Sequence, residues 1–440
     1  MEEVTSRKKV DAKADHLRAD SKSSKLENGN VEGKKVHLAW NNTYLLLLFL
    51  LLPVIIRLCQ DGCLPPDSPW SILSYEALWD WDALYLVLAH TILQAVLYYL
   101  PAGKVVEGKI GHTGKRLRYN INAVHAFITT TAILGLLYHN GLVRVSFIFH
   151  KTGPIISATI VVSLILSYIW YLKSFWASEK ELVDYGEKGN FLQDFFLGRE
   201  IDPRIGKIDI KQFCMVRIGF IGWGLVNVSF LMTDIERNGT PSLSLLLVVT
   251  FQLLYVLDTC IDEESILFTK EYTEDGIGFT MTLGEFLWIP FFSTLQAYYL
   301  LHRPFQLCYW AVPPILLLYL AGFAIYYLSG EQKDGYRLNP KDPAYSHLET
   351  IETGTGKNLL VSGWFGWLRH PNYLGDIMMH LAWSLPCGFS SWIPYFSFIS
   401  CLNILRQRAE ETEKECAEKY GLAWKEYCRR VKYKLFPYVY

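Results

Sequence analysis

The chain has 440 residues, of which 51% are hydrophobic and 15% aromatic, and its formal net charge is −1. With a positive mean hydropathy, this composition excludes an ordinary soluble globular protein, and the near-zero charge excludes the chain-wide basic footprint of a nucleic-acid binder. It predicts a polytopic membrane protein.

Residues 1–40 are charged, slightly basic and nearly free of large apolar side chains, and they lack the apolar core of a signal peptide. They predict a disordered cytosolic or nucleoplasmic tail that helps to orient the first span. A short arm for chromatin, lamina or lipid is the alternative. Residues 41–440 read as one membrane domain. A span needs about 20 apolar residues, and such runs fall near 43–60, 80–100, 121–140, 155–175, 216–233, 241–260, 284–301 and 309–329. In 376–403, Pro386, Gly388 and Pro394 interrupt the apolar run, so two short helices in a hairpin fit better than one span. The predicted fold class is all-α, with about ten transmembrane helices.

Lysine and arginine set the orientation. The loop 61–79 has none, whereas 101–119 carries Lys104, Lys109, Lys115, Arg116 and Arg118, and the C-terminal tail is rich in both residues. Both termini and the long segments 176–215, 261–283 and 330–375 are therefore expected on the cytosolic side. The nine cysteines contain no CxxC pair and no zinc-ligand spacing with histidine, so they read as apolar packing groups and no metal site is expected. Cys59 and Cys63 would form a disulfide only if their loop is lumenal.

A charge at the centre of a span costs about 2.5–3.5 kcal/mol on insertion scales, which singles out polar residues inside the apolar runs. These are His90, His125, Glu285 and His380, each also explicable as an interhelical hydrogen bond. Asp80 and Asp82, beside Trp79 and Trp81, read as an interfacial rim. In the C-terminal third the polar residues converge: Lys333, Arg337, Arg369, His370, Asn372, Tyr373, Asp376, Arg408, Tyr420 and Tyr427 all fall at or just beneath cytosolic depth. Cations suit phosphate and aromatic faces suit a ring, so a phosphorylated, ring-bearing ligand is expected there. The GTGK run at 354–357 lacks the GxxxxGK[ST] spacing and reads as a loop.

The segments LLVSGWFGWLRHPNYLGD, SLPCGF, KYGLAWKEYCRRVKYKLFPYVY and GREIDPRIGKIDIKQFC resemble the membrane sterol reductases of the delta-14 and delta-7 class, including the reductase-like domain of the lamin B receptor. SLPCGF and FPYVY are closer to the delta-14 and lamin B receptor branch. The resemblance implies a ten-span fold of the endoplasmic reticulum or inner nuclear membrane, with NADPH in a C-terminal, cytosol-facing pocket beside a lipid-accessible sterol pocket. It places cofactor contacts at Lys333, Arg337, Leu360, Asn372, Tyr373, Arg408, Cys416, Tyr420 and Tyr427, with Phe365 and Thr412 standing where the family has tryptophan and aspartate. Reduction of an unactivated double bond needs a proton and a hydride, and the family uses a tyrosine and an aspartate for the proton. Those catalytic positions are Ser293 and Thr412 here. Glu274 and Met215 stand at two further family positions, those of a histidine and a carboxylate.

These substitutions leave two readings: an NADPH-dependent sterol reductase, delta-14 by resemblance, or a catalytically degenerate lamin B receptor-like protein that binds sterol, cofactor or protein partners. The expected partners are a sterol and membrane lipid, with no nucleic acid bound through the membrane domain. RHPxY also occurs in methyltransferases that use S-adenosylmethionine, but the full-length likeness favours the reductases.

Overall fold

Proline and glycine decide where the apolar helices of this chain bend, break and touch. The computed structural model describes residues 78–439 except 111–115, 184–190, 274 and 355. The N-terminal tail, the apolar run 43–60, Cys59, Cys63 and Glu274 lie outside the described residues. The described residues divide into two units, 78–306 and 307–439.

Among the described residues, five helices are long and apolar enough to cross a membrane: Trp81–Tyr99, Thr152–Trp176, Ile210–Asn238, Leu243–Ile261 and Tyr309–Arg337. Of two shorter apolar helices, Ala123–His139 coincides with the run expected near 121–140, whereas Phe279–Phe292 overlaps only the first half of the run expected near 284–301.

In the first unit, α1 (Trp81–Tyr99) is capped by Asp80, whose side chain accepts from the Asp82 amide at 2.8 Å and pairs with Lys151 at 2.5 Å. Asp80 thus has a structural task at the helix entry. The loop expected after it is an antiparallel hairpin of β1 (Lys104–Ile110) and β2 (Arg116–Ile121). That hairpin, with the two-residue pairs β3–β4 (Arg204–Ile205, Ile208–Asp209) and β5–β6 (Thr350–Ile351, Leu359–Leu360), corrects a strictly all-α expectation. Each joins a short span-flanking segment whose backbone groups have no helix to satisfy them. Then come α2 (Ala123–His139) and α3 (Thr152–Lys173).

The third long helix passes from a turn at Ile210–Gln212 into a π segment, Phe213–Phe220, and continues as α4 (Ile221–Asn238). The π segment carries Arg217 into the interior, where it is fully buried and pairs at 2.8 Å with the equally buried Glu263. Asn122 accepts from Arg217 at 2.6 Å, and Gln212 donates to Glu263 at 2.8 Å. Burial alone pushes the Glu263 carboxyl up, so the arginine and these donors are what offset its desolvation.

After α5 (Leu243–Ile261), a second π segment, Gly284–Phe292, contains Pro290. A proline inside a helix removes a donor and displaces its neighbours, which is a sufficient cause for the widened turn. Gly219 of the first π segment faces this one, and a Cβ there would meet Glu285 Oε2 at 2.3 Å. The run expected as one span at 284–301 is therefore broken at Ser293 and Thr294 and resumes as α6 (Leu295–His302).

In the second unit, α7 (Val312–Leu338) runs 27 residues. Lys333 and Arg337, expected in the cytosolic segment after the span, sit on its last turns, because the helix runs on through Gly330 and Gly335 and ends only at Asn339. It crosses α8 (Pro371–Ser384) through two glycines. A Cβ on Gly322 would stand 2.8 Å from the carbonyl oxygen of Gly375, and one on Gly375 would stand 2.5 Å from that of Gly322. Backbones this close are the usual gain from small residues at a membrane helix crossing. The helical hairpin breaks at 385–395, as Pro386, Gly388 and Pro394 predict. Its second arm, α9 (Phe396–Tyr420), is not short: it continues 25 residues into polar sequence before Gly421 ends it in a left-handed conformation (φ 53°), and α10 (Leu422–Arg430) follows.

Candidate functional site

The end of α7, the segment 360–373, α9 and α10 supply the C-terminal residues singled out in the sequence. Lys333 and Arg337 are one turn apart on α7, so their charges share a face. Lys333 is half-buried, with Nζ 5.6 Å from the Phe365 ring centroid. Among the described residues no carboxylate makes an ion pair with either cation. Leu360 and Phe365 are buried with Tyr336 and Leu348 in one apolar cluster. Tyr427 is buried with Trp424 and Val431 in a second, against which Cys416 and Tyr420 pack. The Tyr427 hydroxyl joins the two by donating to the Phe365 carbonyl at 3.1 Å.

Arg408, Thr412, Cys416 and Tyr420 recur every fourth residue of α9 and therefore form one stripe along it. Arg408 is exposed and Thr412 half-buried. Tyr373 stacks on His370 with ring centroids 5.0 Å apart at 8°. Asn372 is half-buried on the first turn of α8, and none of its side-chain contacts ties it to the other members. Thus Lys333, Leu360, Phe365, Cys416, Tyr420 and Tyr427 are joined through contacts, Tyr373 borders them through His370, and Arg408 and Thr412 continue the α9 stripe.

Electrostatics in this region are positive. His370 is buried, and its pKa is pushed down to about 4 by that burial and then by Lys333, Arg369 and Lys434. It is neutral at pH 7, leaving the field to Lys333, Arg369 and Lys434, with Lys333 itself lowered to about 8 by Arg337 and by burial. Burial also raises the Tyr427 phenol, which stays a donor, and pushes Cys416 up to about 11, which keeps it a thiol. The cation of Lys333 beside the Phe365 ring, with Arg337 one turn further along the same helix face, fits a phosphorylated ligand with a flat ring.

Two members of the sequence cluster have other tasks. Arg369 makes a bidentate pair with Glu413 at 2.8 and 2.7 Å and donates through Nε to the Val431 carbonyl at 2.9 Å. The main-chain amides of Arg369 and His370 donate to the carbonyls of Tyr433 and Lys434, each at 3.1 Å. Arg369 is therefore a clasp for the C-terminal strand of chain, and its guanidinium is committed. Glu413, which flanks Thr412, is held by the same pair. Asp376 turns toward His380, with 3.4 Å between Oδ1 and Nδ1.

In the first unit, Ser293 stands at the break between the π segment and α6. The break frees its carbonyl, which accepts from Gln252 Nε2 at 2.7 Å. Gln252 is the hub of a buried polar group: its Oε1 accepts from Trp223 at 3.0 Å and from Asn227 at 2.9 Å, and Gln296 lies 3.3 Å from its Nε2. Asn227 is fully buried, and its Oδ1 has no hydrogen-bond partner among the described residues. Asn227, Gln252 and Gln296 were not foreseen as site residues, although polar amides within apolar runs are the same signal that singled out His90 and Glu285.

Buried polar groups within apolar helices, and a cationic, aromatic cluster at the C-terminal helix ends, define a polytopic helical membrane protein. The chain matches the Ergosterol biosynthesis ERG4/ERG24 family over residues 67–440, and it belongs to that family. It is 45% identical over 365 residues to Delta(14)-sterol reductase TM7SF2 of Mus musculus, covering 83% of this chain and 87% of that protein. It is 39% identical over 439 residues to Delta(14)-sterol reductase LBR of Gallus gallus, covering 98% and 67%. It is 37% identical over 388 residues to Delta(14)-sterol reductase erg24 of Schizosaccharomyces pombe, covering 87% and 91%.

Proposed function

We propose that this chain is an NADPH-dependent sterol reductase acting on the delta-14 double bond within a membrane domain of about ten spans, residues 41–440. Lys333 and Arg337 carry this reading: two cations share one helix face without carboxylate partners among the described residues, and Lys333 lies over the Phe365 ring that Tyr427 joins through the Phe365 carbonyl. In it, Lys333, Arg337 and Arg408 hold phosphates, with the charge favouring the extra phosphate of NADPH. Tyr373, Tyr420 and Tyr427 supply ring faces and hydroxyls, Asn372 an amide, and Leu360, Phe365, Thr412 and Cys416 the remaining walls. The bound cofactor supplies the hydride. The protein's own task is to bring a proton to the alkene, leaving a tertiary cation at carbon 14 for reduction. Both termini face the cytosol or nucleoplasm, in the endoplasmic reticulum or inner nuclear membrane. The basic tail is the segment for chromatin or lamina contact.

The proton is where a second reading gains support. Ser293 and Thr412 occupy the family's donor positions, their hydroxyls are weak acids, and Glu413 is committed to Arg369. These features favour a catalytically degenerate, lamin B receptor-like protein that keeps cofactor and sterol without turnover. Purified protein supplied with a delta-14 sterol and NADPH, with loss of the conjugated diene followed, separates the two. Turnover supports the reductase, and NADPH binding without turnover leaves the degenerate form. Binding of S-adenosylmethionine in place of NADPH would sink both. Ser293→Tyr combined with Thr412→Asp is expected to raise the rate by about 10²–10⁴-fold if proton delivery limits it.

A further inference from the structure

We propose that Asp376, His380 and Cys401 form a binding site for a divalent transition-metal ion of the zinc class that staples α8 to α9. The site is independent of the cofactor reading above. Asp376 and His380 are four residues apart on α8 and so face the same way, with Oδ1 and Nδ1 3.4 Å apart. Cys401 comes from the second turn of α9. One ligand atom from each of the three lies within 4.8 Å of the others, and all three residues are half-buried. In a tetrahedral zinc site with bonds of about 2.0–2.3 Å, ligand atoms stand roughly 3.3–3.8 Å apart. Closing the triangle therefore takes side-chain shifts of about 1 Å.

The donor set selects the ion. A thiolate, an imidazole and a carboxylate suit zinc and its soft-to-borderline neighbours, whereas magnesium and calcium require mostly oxygen. A divalent ion bound by a carboxylate, a thiolate and a neutral imidazole makes the site neutral overall, as an apolar setting demands. Binding forms the metal–sulfur and metal–nitrogen bonds and releases to solvent the thiol proton and the proton that His380 carries when it pairs with Asp376, with no change of oxidation state. Asp376 Oδ1 is buried and makes no closer polar contact among the described residues than the 3.4 Å approach of His380 Nδ1, so a metal ion would take the place of that contact. The Trp383 ring, with its centroid 4.3 Å from that of His380, holds the imidazole in place.

The ion fixes the register of the two arms of the hairpin. One arm carries Asn372 and Tyr373, and the other carries Arg408 and Thr412 two to three turns beyond Cys401. Three protein ligands leave a fourth position for water.

The test uses the full chain, purified in detergent, stripped with chelator and titrated with cobalt(II). The expected result is one ion per chain, with a thiolate-to-cobalt charge-transfer band in the near ultraviolet and four-coordinate ligand-field bands in the visible. Cys401→Ser should abolish the charge-transfer band, and His380→Ala should weaken binding at least tenfold. Absence of a sulfur band in wild-type protein, or its persistence in Cys401→Ser, overturns the site. If either variant fails to fold, alkylation of the wild-type Cys401 peptide, read by mass spectrometry, decides: zinc should slow it at least tenfold, and an unchanged rate overturns the proposal.

Discussion

Tyr427 and Phe365 are joined by one hydrogen bond, 3.1 Å from phenol hydroxyl to main-chain carbonyl, and the Phe365 ring is also the surface beneath Lys333. A single backbone position therefore carries both the α10 aromatic group and the α7 cation. Tyr427→Phe keeps the ring and removes the donor, leaving a carbonyl without its partner at a cost of about 1–3 kcal/mol. The expected outcome is a lower unfolding midpoint together with weaker NADPH binding. An unchanged midpoint would refute the link.

Glu413 and Arg369 have side chains only 15% and 9% exposed, so removing one charge strands the other in low dielectric. Glu413→Gln is expected to destabilise the chain by about 3–5 kcal/mol and to expose the 431–439 segment to proteolysis. The neighbouring Glu411→Gln should stay within about 0.5 kcal/mol of wild type. Equal effects from both would mean that the clasp does not hold the tail.

The difference between those two glutamates illustrates what was legible in the sequence. Apolar runs marked the helices because burial in lipid is a property of local composition, and Pro386, Gly388 and Pro394 marked the hairpin break because their backbone limits are local too. Lys333 and Arg337 were identified by type and by side of the membrane but not as the end of a helix, since polar composition fits a loop as well as a helix that leaves the membrane and continues. The commitment of Arg369 to Glu413 was not legible, because it depends on a tail about 60 residues further on folding back beside residue 369. The same holds for His380 and Cys401: no motif spacing links them, and only the hairpin brings them together. Ser293 at a helix break follows from Pro290 only once the π segment is seen.

Arg408 is exposed on the α9 stripe that also carries Thr412, Cys416 and Tyr420. An exposed side chain contributes little to folding, so Arg408→Ala should leave the unfolding midpoint within about 0.5 kcal/mol of wild type. If the guanidinium holds a phosphate, the same variant should bind NADPH more weakly by about 1–3 kcal/mol. NADH, which lacks the extra phosphate, should be affected less if Arg408 meets that group. Calorimetric titration of both nucleotides checks the pair of outcomes, and equal affinity for wild type and variant would remove Arg408 from the site.

His370 makes the stability of the C-terminal unit sensitive to pH. Its ordinary pKa is 6.5, and in the folded chain burial, followed by Lys333, Arg369 and Lys434, lowers it to about 4. Above 6.5 the ring is neutral in both states and costs nothing. Between 6.5 and about 4 only the unfolded chain takes up the proton, so stability falls as pH falls through this window and levels off below it. The full loss is on the order of 3 kcal/mol. His370→Asn cannot titrate, so subtracting its midpoint from that of wild type at each pH cancels the carboxylates that titrate in both. The difference should decline through that window, whereas a flat difference would mean that His370 is protonated as easily in the folded chain as in water. The stacked ring of Tyr373, 5.0 Å away, gives an independent readout: protonation of His370 below about pH 4 should shift its near-ultraviolet circular dichroism in wild type and not in the variant.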